Sequence, residues 1–172
     1  MTDDPHAGER ILGSLRSEDG KGVVRMEDRF DTDIDDLWSA LTDPRRLARW
    51  IGEVGGDLRL GGEYRYHFFS SGAEGTGRVE ACEPPHRLLL AHGSADDADK
   101  VIEATLTADG DQTILVVEER GMPLNLVAAY GAGIQVHIED LGAHLAGRGR
   151  IDADARWDEL QPAYDALAAE VE

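Results

Sequence analysis

The chain has 172 residues, and 35 acidic side chains against 17 lysines and arginines leave a formal net charge of −18. A chain of that length buries roughly two-thirds of its unfolded surface on folding, so 41% hydrophobic residues suffice for one core without disulfide or metal staples. So large an acid excess, with no cluster of Lys and Arg, excludes unassisted binding to nucleic-acid phosphates or an anionic membrane face, both of which need local cation density. The single cysteine, Cys82, cannot close an internal disulfide. Met1-Thr2-Asp3-Asp4 lacks the basic and apolar parts of a signal peptide, and no apolar run is long enough to span a bilayer, so the expected address is the cytoplasm.

Residues 1–20 are polar, with two arginines against five acids, and read as a flexible acidic leader. From Lys21 a period of two sets in, with Val24, Met26 and Phe30 on one side, which predicts a first strand. Asp33 or Asp35 is placed to cap a helix containing Leu37, Trp38 and Leu41, ending near Asp43-Pro44, and a second short helix follows through Leu47 and Trp50. Strand-period segments come next. Asp57–Leu60 leads into a Gly61-Gly62 turn and returns as Glu63–Phe69; Gly75–Glu83 stops at Pro84-Pro85; Arg87–Gly93 follows. Lys100–Thr107 and Thr113–Arg120 are joined through Asp109-Gly110, a strong hairpin signal. The period then changes to that of a helix over 124–146, with Leu126, Tyr130, Ile134, Ile138 or His137, Leu141 and Leu145 in a stripe, and a last amphipathic helix is expected over 154–172.

This order predicts an α+β domain over 21–147: a curved antiparallel sheet of six or seven strands around one long C-terminal helix, with two short helices after the first strand and a helical extension over 152–172. The cavity such a sheet leaves against its helix is the expected ligand site. The run from Trp38 to Pro44 with Leu47-Ala48-Arg49-Trp50 resembles the activator of heat-shock protein 90 ATPase homologue family, within the START-like (SRPBCC, birch-pollen-allergen-like) superfamily. Gly61-Gly62-Glu63-Tyr64, Gly77-Arg78-Val79, the run from Glu83 to Leu88, Thr113-Ile114-Leu115, and Gly133 with Leu141 continue the resemblance in order, from about Gly22 to Ala146. The resemblance implies a helix-grip fold with a pocket between sheet and helix; it supplies no reaction. It also marks two departures: the family commonly has tryptophan where His92 stands and an aromatic where this chain has Ile134.

Inward alternation nominates Asp28, Tyr64, Tyr66, His92, Glu119 and His137 as polar groups of the cavity, with Trp50, Phe68, Leu90, Leu115 and Val117 as its apolar wall and Tyr130 and Ile134 from the helix. A His92–Glu119 pair would suit acid/base work if the two side chains met. His137, Asp140 and His144 fall on one helical face at spacings of three and four, but the stripe of Tyr130, Ile134, Leu141 and Leu145 already claims the core side, so no metal is expected. Tyr130-Gly131-Ala132-Gly133 lies in a helix-period segment rather than after a strand, so it is not a dinucleotide fingerprint; its glycines are expected to permit close packing on the sheet or to leave room for a ligand. No cofactor is expected, and no catalytic residue is assigned. The first expectation is therefore a protein that binds a small hydrophobic ligand and is more a binder than an enzyme. The alternatives are a module contacting a chaperone and a cyclase- or hydratase-like enzyme, with a homodimer through the C-terminal helix as a further expectation.

The acid excess is uneven. Residues 95–111 hold one lysine against six acids and 152–172 one arginine against seven, so most of the charge sits in the two ends and one hairpin.

Overall fold

A computed structural model describes residues 11–92 and 100–171, apart from the side chain of His92. Its elements are β1 (Gly13–Glu18), β2 (Lys21–Phe30), α1 (Ile34–Thr42), α2 (Pro44–Trp50), β3 (Gly52–Gly56), β4 (Glu63–Phe68), β5 (Glu74–Glu83), β6 (Arg87–His92), β7 (Val101–Asp109), β8 (Gln112–Pro123), a 3-10 turn (Leu124–Leu126), α3 (Val127–Leu145) and α4 (Ala153–Ala168). The strands form one antiparallel sheet in the order β1-β2-β8-β7-β6-β5-β4-β3. The order dictates the architecture. From β3 to β8 the chain meanders back to β2, so the connection from β2 to β3 must cross from one side of the sheet to its far edge, and α1 and α2 make that crossing.

Local chemistry sets the boundaries. Asp33 caps α1 by accepting the Asp36 N–H at 2.8 Å, and Asp43 both ends α1 and caps α2 through the Arg45 N–H, with Pro44 in the first helical position, where its missing donor costs nothing. The Asp109–Gln112 hairpin stands where it is expected, with Gly110 at φ +61°.

The sheet has eight strands, more than the expected six or seven, and two elements depart from the sequence reading. The leader is not loose over its second half: residues 13–18 form β1, which pairs in register with β2 from Gly13↔Met26 to Glu18↔Lys21. The turn between them, Asp19-Gly20, has positive φ at both residues, the geometry of a two-residue hairpin. In the second departure, the strand expected at Asp57–Leu60 lies five residues earlier, at Gly52–Gly56. The loop after it tucks Gly61 and Gly62 against β5, where Gly61 donates to the Val79 carbonyl and Val79 donates to that of Gly62. Leu60 is 66% exposed.

The concave face carries the core. Val24, Met26 and Phe30 of β2, Leu106 of β7, and Leu115 and Val117 of β8 meet Leu37 and Ala40 of α1, Leu47 and Trp50 of α2, and Val127, Ala132, Ile134, Ile138 and Leu141 of α3. On the convex face Arg16, Glu118, Arg120, Glu103, Arg87 and Glu83 alternate in sign in a chain of ion pairs reaching from β1 to β5.

Helix α4 is part of the domain rather than an appendage. Leu160 and Tyr164 are fully buried against α3 and β1. The contact explains the α3 glycines: a Cβ on Gly131 would stand 2.5 Å from the Tyr164 ring, and one on Gly133 would stand 3.1 Å from Trp157. Their use is close packing of helix on helix, not the expected approach to the sheet. No helix among the described residues is long and apolar enough to cross a membrane.

Candidate functional site between sheet and helix

Helix α3 packs chiefly on β1 and β2, where the concave-face residues are buried, and makes only slight contact with β4, β5 and β6. There Tyr66, Phe68, Leu88 and Leu90 face inward yet keep accessible surface. Inward apolar side chains that remain accessible line a space instead of filling a core.

The floor of that space is an aromatic ladder. Tyr64, Tyr66 and Phe68 share one face of β4 because strand side chains two apart point the same way. Tyr64 and Tyr66 have ring centroids 6.2 Å apart at 39°, and Tyr66 stacks on Phe68 at 4.7 Å and 26°. The ladder lies across β5 because the residues paired with Tyr64 and Tyr66 are Gly77 and Gly75. A Cβ on Gly77 would stand 2.5 Å from the Tyr64 hydroxyl, and one on Gly75 would stand 2.9 Å from that of Tyr66. A Cβ on Gly77 would also meet the Ala91 backbone carbonyl, so Gly77→Val is expected to strain the β5–β6 pairing as well as displace Tyr64 and to cost about 1–3 kcal/mol, the usual range for overpacking; a urea midpoint unchanged from wild type would contradict this close packing.

His137 of α3 closes the ladder from above. Its ring centroid lies 5.1 Å from that of Phe68 at 59°, and its Nδ1 is sealed from solvent with no hydrogen-bond partner. Burial pushes its pKa down to about 4, so at neutral pH the imidazole is uncharged. Between pH 6.5 and 4 the unfolded chain then binds more protons at this residue than the folded one. The stability it contributes above pH 6.5 is lost as the pH falls through 4, on the order of 3 kcal/mol in all. His144, held low by burial and by Arg46 and Arg49, adds to the slope with the same sign. His137→Phe should flatten the difference between urea midpoints at pH 7 and pH 4.5; an unaltered slope would contradict the neutral, buried histidine.

A polar pole stands beside the ladder. Lys100 Nζ donates to the Tyr130 hydroxyl at 2.8 Å and sits 5.1 Å from that ring's centroid. Glu119 is buried at 5% exposure. Burial raises the pKa of both Tyr64 and Tyr66; Tyr66 and Glu119 raise that of Tyr64 further, and Lys100 opposes the rise at Tyr66 while Glu119 adds to it. Both phenols are therefore protonated donors at neutral pH.

The structure thus brings together Tyr64, Tyr66, Phe68 and His137, and sets Tyr130 and Glu119 beside them with Leu90 on the neighbouring strand β6. Trp50 and Ile134 belong to the packed core instead, as do Leu115 and Val117; the Trp50 indole donates to the Ala40 carbonyl at 3.0 Å. Asp28 lines a separate shallow cleft with Glu27, Arg29 and Ile114. The side chain of His92 lies outside the described residues, and with it the expected His92–Glu119 pair. His137, Asp140 and His144 are committed separately: Asp140 accepts the Ile151 N–H at 2.8 Å, and His144 accepts from Arg46 at 3.3 Å. Burial raises the Asp140 pKa. An open cleft of about 430 Å³ lies at the edge strand, between Pro44 and Ala48 of α2, Glu53 and Val54 of β3, and Arg65, Tyr66 and His67 of β4. Sequence reasoning missed Gly75, Gly77 and Lys100. The spacing Gly75-x-Gly77, matching the period of the aromatic residues on β4, was the available signal for the first two.

Among solved structures, CalU16 from Micromonospora echinospora is 28% identical, with a TM-score of 0.75 over 92% of this chain and 96% of that one. DynU16, from the dynemicin biosynthetic locus, is 29% identical with a TM-score of 0.68, covering 76% of this chain and 50% of that one. The Aha1 dimer from Colwellia psychrerythraea is 15% identical with a TM-score of 0.63, over 72% of this chain and 95% of that one, and shows the fold alone. No curated protein matches the sequence. The sequence family described as Activator of Hsp90 ATPase homolog 1-like protein matches residues 31–146, from the end of β2 to the end of α3. The helix-grip fold and this match agree over the same elements, and the chain belongs to the Activator of Hsp90 ATPase homolog 1-like family.

Proposed function

We propose that the protein binds a small, largely apolar molecule with aromatic character in the space between β4–β6 and α3. The observation that carries this reading is the ladder Tyr64-Tyr66-Phe68, with His137 of α3 over its Phe68 end: an inward-facing aromatic surface on which Tyr66 and Phe68 keep accessible area. Stacked rings offer a flat, polarisable wall, and Lys100, Tyr130 and Glu119 offer polar groups that orient a ligand at one end. The role is binding. The stacked rings support including planar aromatic compounds among those tried. A thermal-shift screen of such compounds is expected to find one that stabilises by about 2.7 kcal/mol at a hundred times its dissociation constant, or about 5–10 °C in Tm. A diverse apolar panel without a single stabilising compound would overturn the reading.

A second reading, contact with a chaperone, rests on the family's description. It is tested by a pull-down with an Hsp90-type ATPase and its ATPase rate; absence of both binding and stimulation excludes it.

A further inference from the structure

We infer that the free edge of strand β3 pairs with the same edge of a second copy of this chain, antiparallel and in a register centred on Val54. The inference is independent of what the space between sheet and α3 binds. Strand β3 ends the sheet next to β4, whereas the strand at the opposite end, β1, is packed on by α3 and α4. The open cleft between α2 and Val54 keeps the β3 edge accessible. Sheet edges are commonly guarded by lysine, proline or a bulge; Gly52-Glu53-Val54-Gly55-Gly56 contains none of these.

The phase of the β3–β4 ladder decides which backbone groups are on offer. Asp57 donates to the Glu63 carbonyl at 2.9 Å and Phe69 to that of Ile51 at 3.0 Å, and the register runs evenly between them, so the odd-numbered residues of β3 bond to β4. Gly52, Val54 and Gly56 therefore turn their N–H and C=O groups away from the sheet. A two-fold axis at Val54 satisfies these groups: Val54 exchanges both its bonds with the partner's Val54, and Gly52 meets the partner's Gly56. The same register sets Glu53 opposite the partner's Gly55. A Cβ on Gly55 would find nothing within 4 Å, so the glutamate has room to pass over that residue toward the partner's Arg65, which pairs with Gly55 on the same face. The path crosses two strand spacings, about 10 Å, which the two long side chains bridge between them. Glu53 and Arg65 are exposed, and neither has an ion pair among the described residues. Symmetry makes the pair twice. A register centred on Glu53 instead sets like charges face to face, which disfavours it. An edge of five residues is small beside the roughly 1,600 Å² of a standard interface, so the dimer is weak, with a dissociation constant on the order of 100 µM.

Sedimentation of the full chain is expected to show monomer at about 10 µM and mostly dimer at about 1 mM. Glu53→Arg and Arg65→Glu should each stay monomeric over that range, because each sets like charges across the two-fold axis. An equimolar mixture of the two variants should associate again, because opposite signs then meet at both places. Both positions are exposed, and far-UV circular dichroism checks that the variants keep the fold. Amide NMR of the wild-type protein supplies a readout that needs no variant: the largest shifts on dilution should fall on the N–H groups of Val54 and Gly56. A wild-type chain still monomeric at the highest concentration, self-association that both single variants leave unchanged, a mixture that stays monomeric, or dilution shifts that fall on α4 instead would overturn the inference.

Discussion

Tyr164→Ala is expected to lower the thermal midpoint by about 10 °C. The side chain is fully buried, and replacing so large a ring by alanine costs about 3–5 kcal/mol, of which each kcal/mol shifts a domain of this size by about 2–4 °C. The ring fills the notch at Gly131, and the hydroxyl is a junction: it donates to Gln135 Oε1 at 2.5 Å and accepts the Gly13 N–H at 3.1 Å. Gln135 in turn accepts the Leu12 N–H at 3.1 Å and donates to Glu139 at 2.9 Å. One phenol thus ties β1, α3 and α4 together. Tyr164→Phe, which keeps the ring and strands these partners, should cost about 1–3 kcal/mol. Calorimetric midpoints of the two variants check both numbers, and a Tyr164→Ala midpoint within a degree or two of wild type would refute the tie.

A chain ending at Ile151 is expected to lose cooperative unfolding and to aggregate. Without α4 the glycine notches of α3, the side chain of Gln135 and the sulfur of Met26 all lose their cover. This outcome also bears on assembly. On the helix expected to form a dimer seam, Leu160 and Tyr164 have no exposed surface left, whereas Trp157 and Leu167 keep some. Sedimentation of the full and shortened chains decides the matter: a shortened chain that stays folded and monomeric, beside a dimeric full chain, would make α4 an intersubunit element after all.

The fold was legible where apolar period and turn chemistry agreed. The alternation in β2, β4 and β8, the Asp33 cap, the Asp43-Pro44 junction and the change to helical period near Leu124 each stand within a few residues of their expected places. Strand β1 was hidden because it is a polar edge strand whose one large apolar residue is Leu15; the Asp19-Gly20 turn was its only strong mark. Strand β3 was misplaced because Gly52–Gly56 offers little strand preference of its own, while Leu58 and Leu60 alternate in a loop. The site was half legible. Alternation puts Tyr64, Tyr66 and Phe68 on one face, but only the tertiary pairing of β4 with Gly75 and Gly77 shows why the rings lie flat. Period alone gives Trp50 and Ile134 the same inward direction as His137; that the first two end in the packed core depends on how α1, α2 and α3 meet.

The central claim is that a ligand enters between the sheet and α3, and side-chain NMR of the protein saturated with a stabilising compound tests it most directly. The predicted result is that the largest shift changes fall on the rings of Phe68 and His137 and on the methyl groups of Leu90. Changes confined to Ala48, Val54 and His67, around the open cleft at the sheet edge, would contradict it.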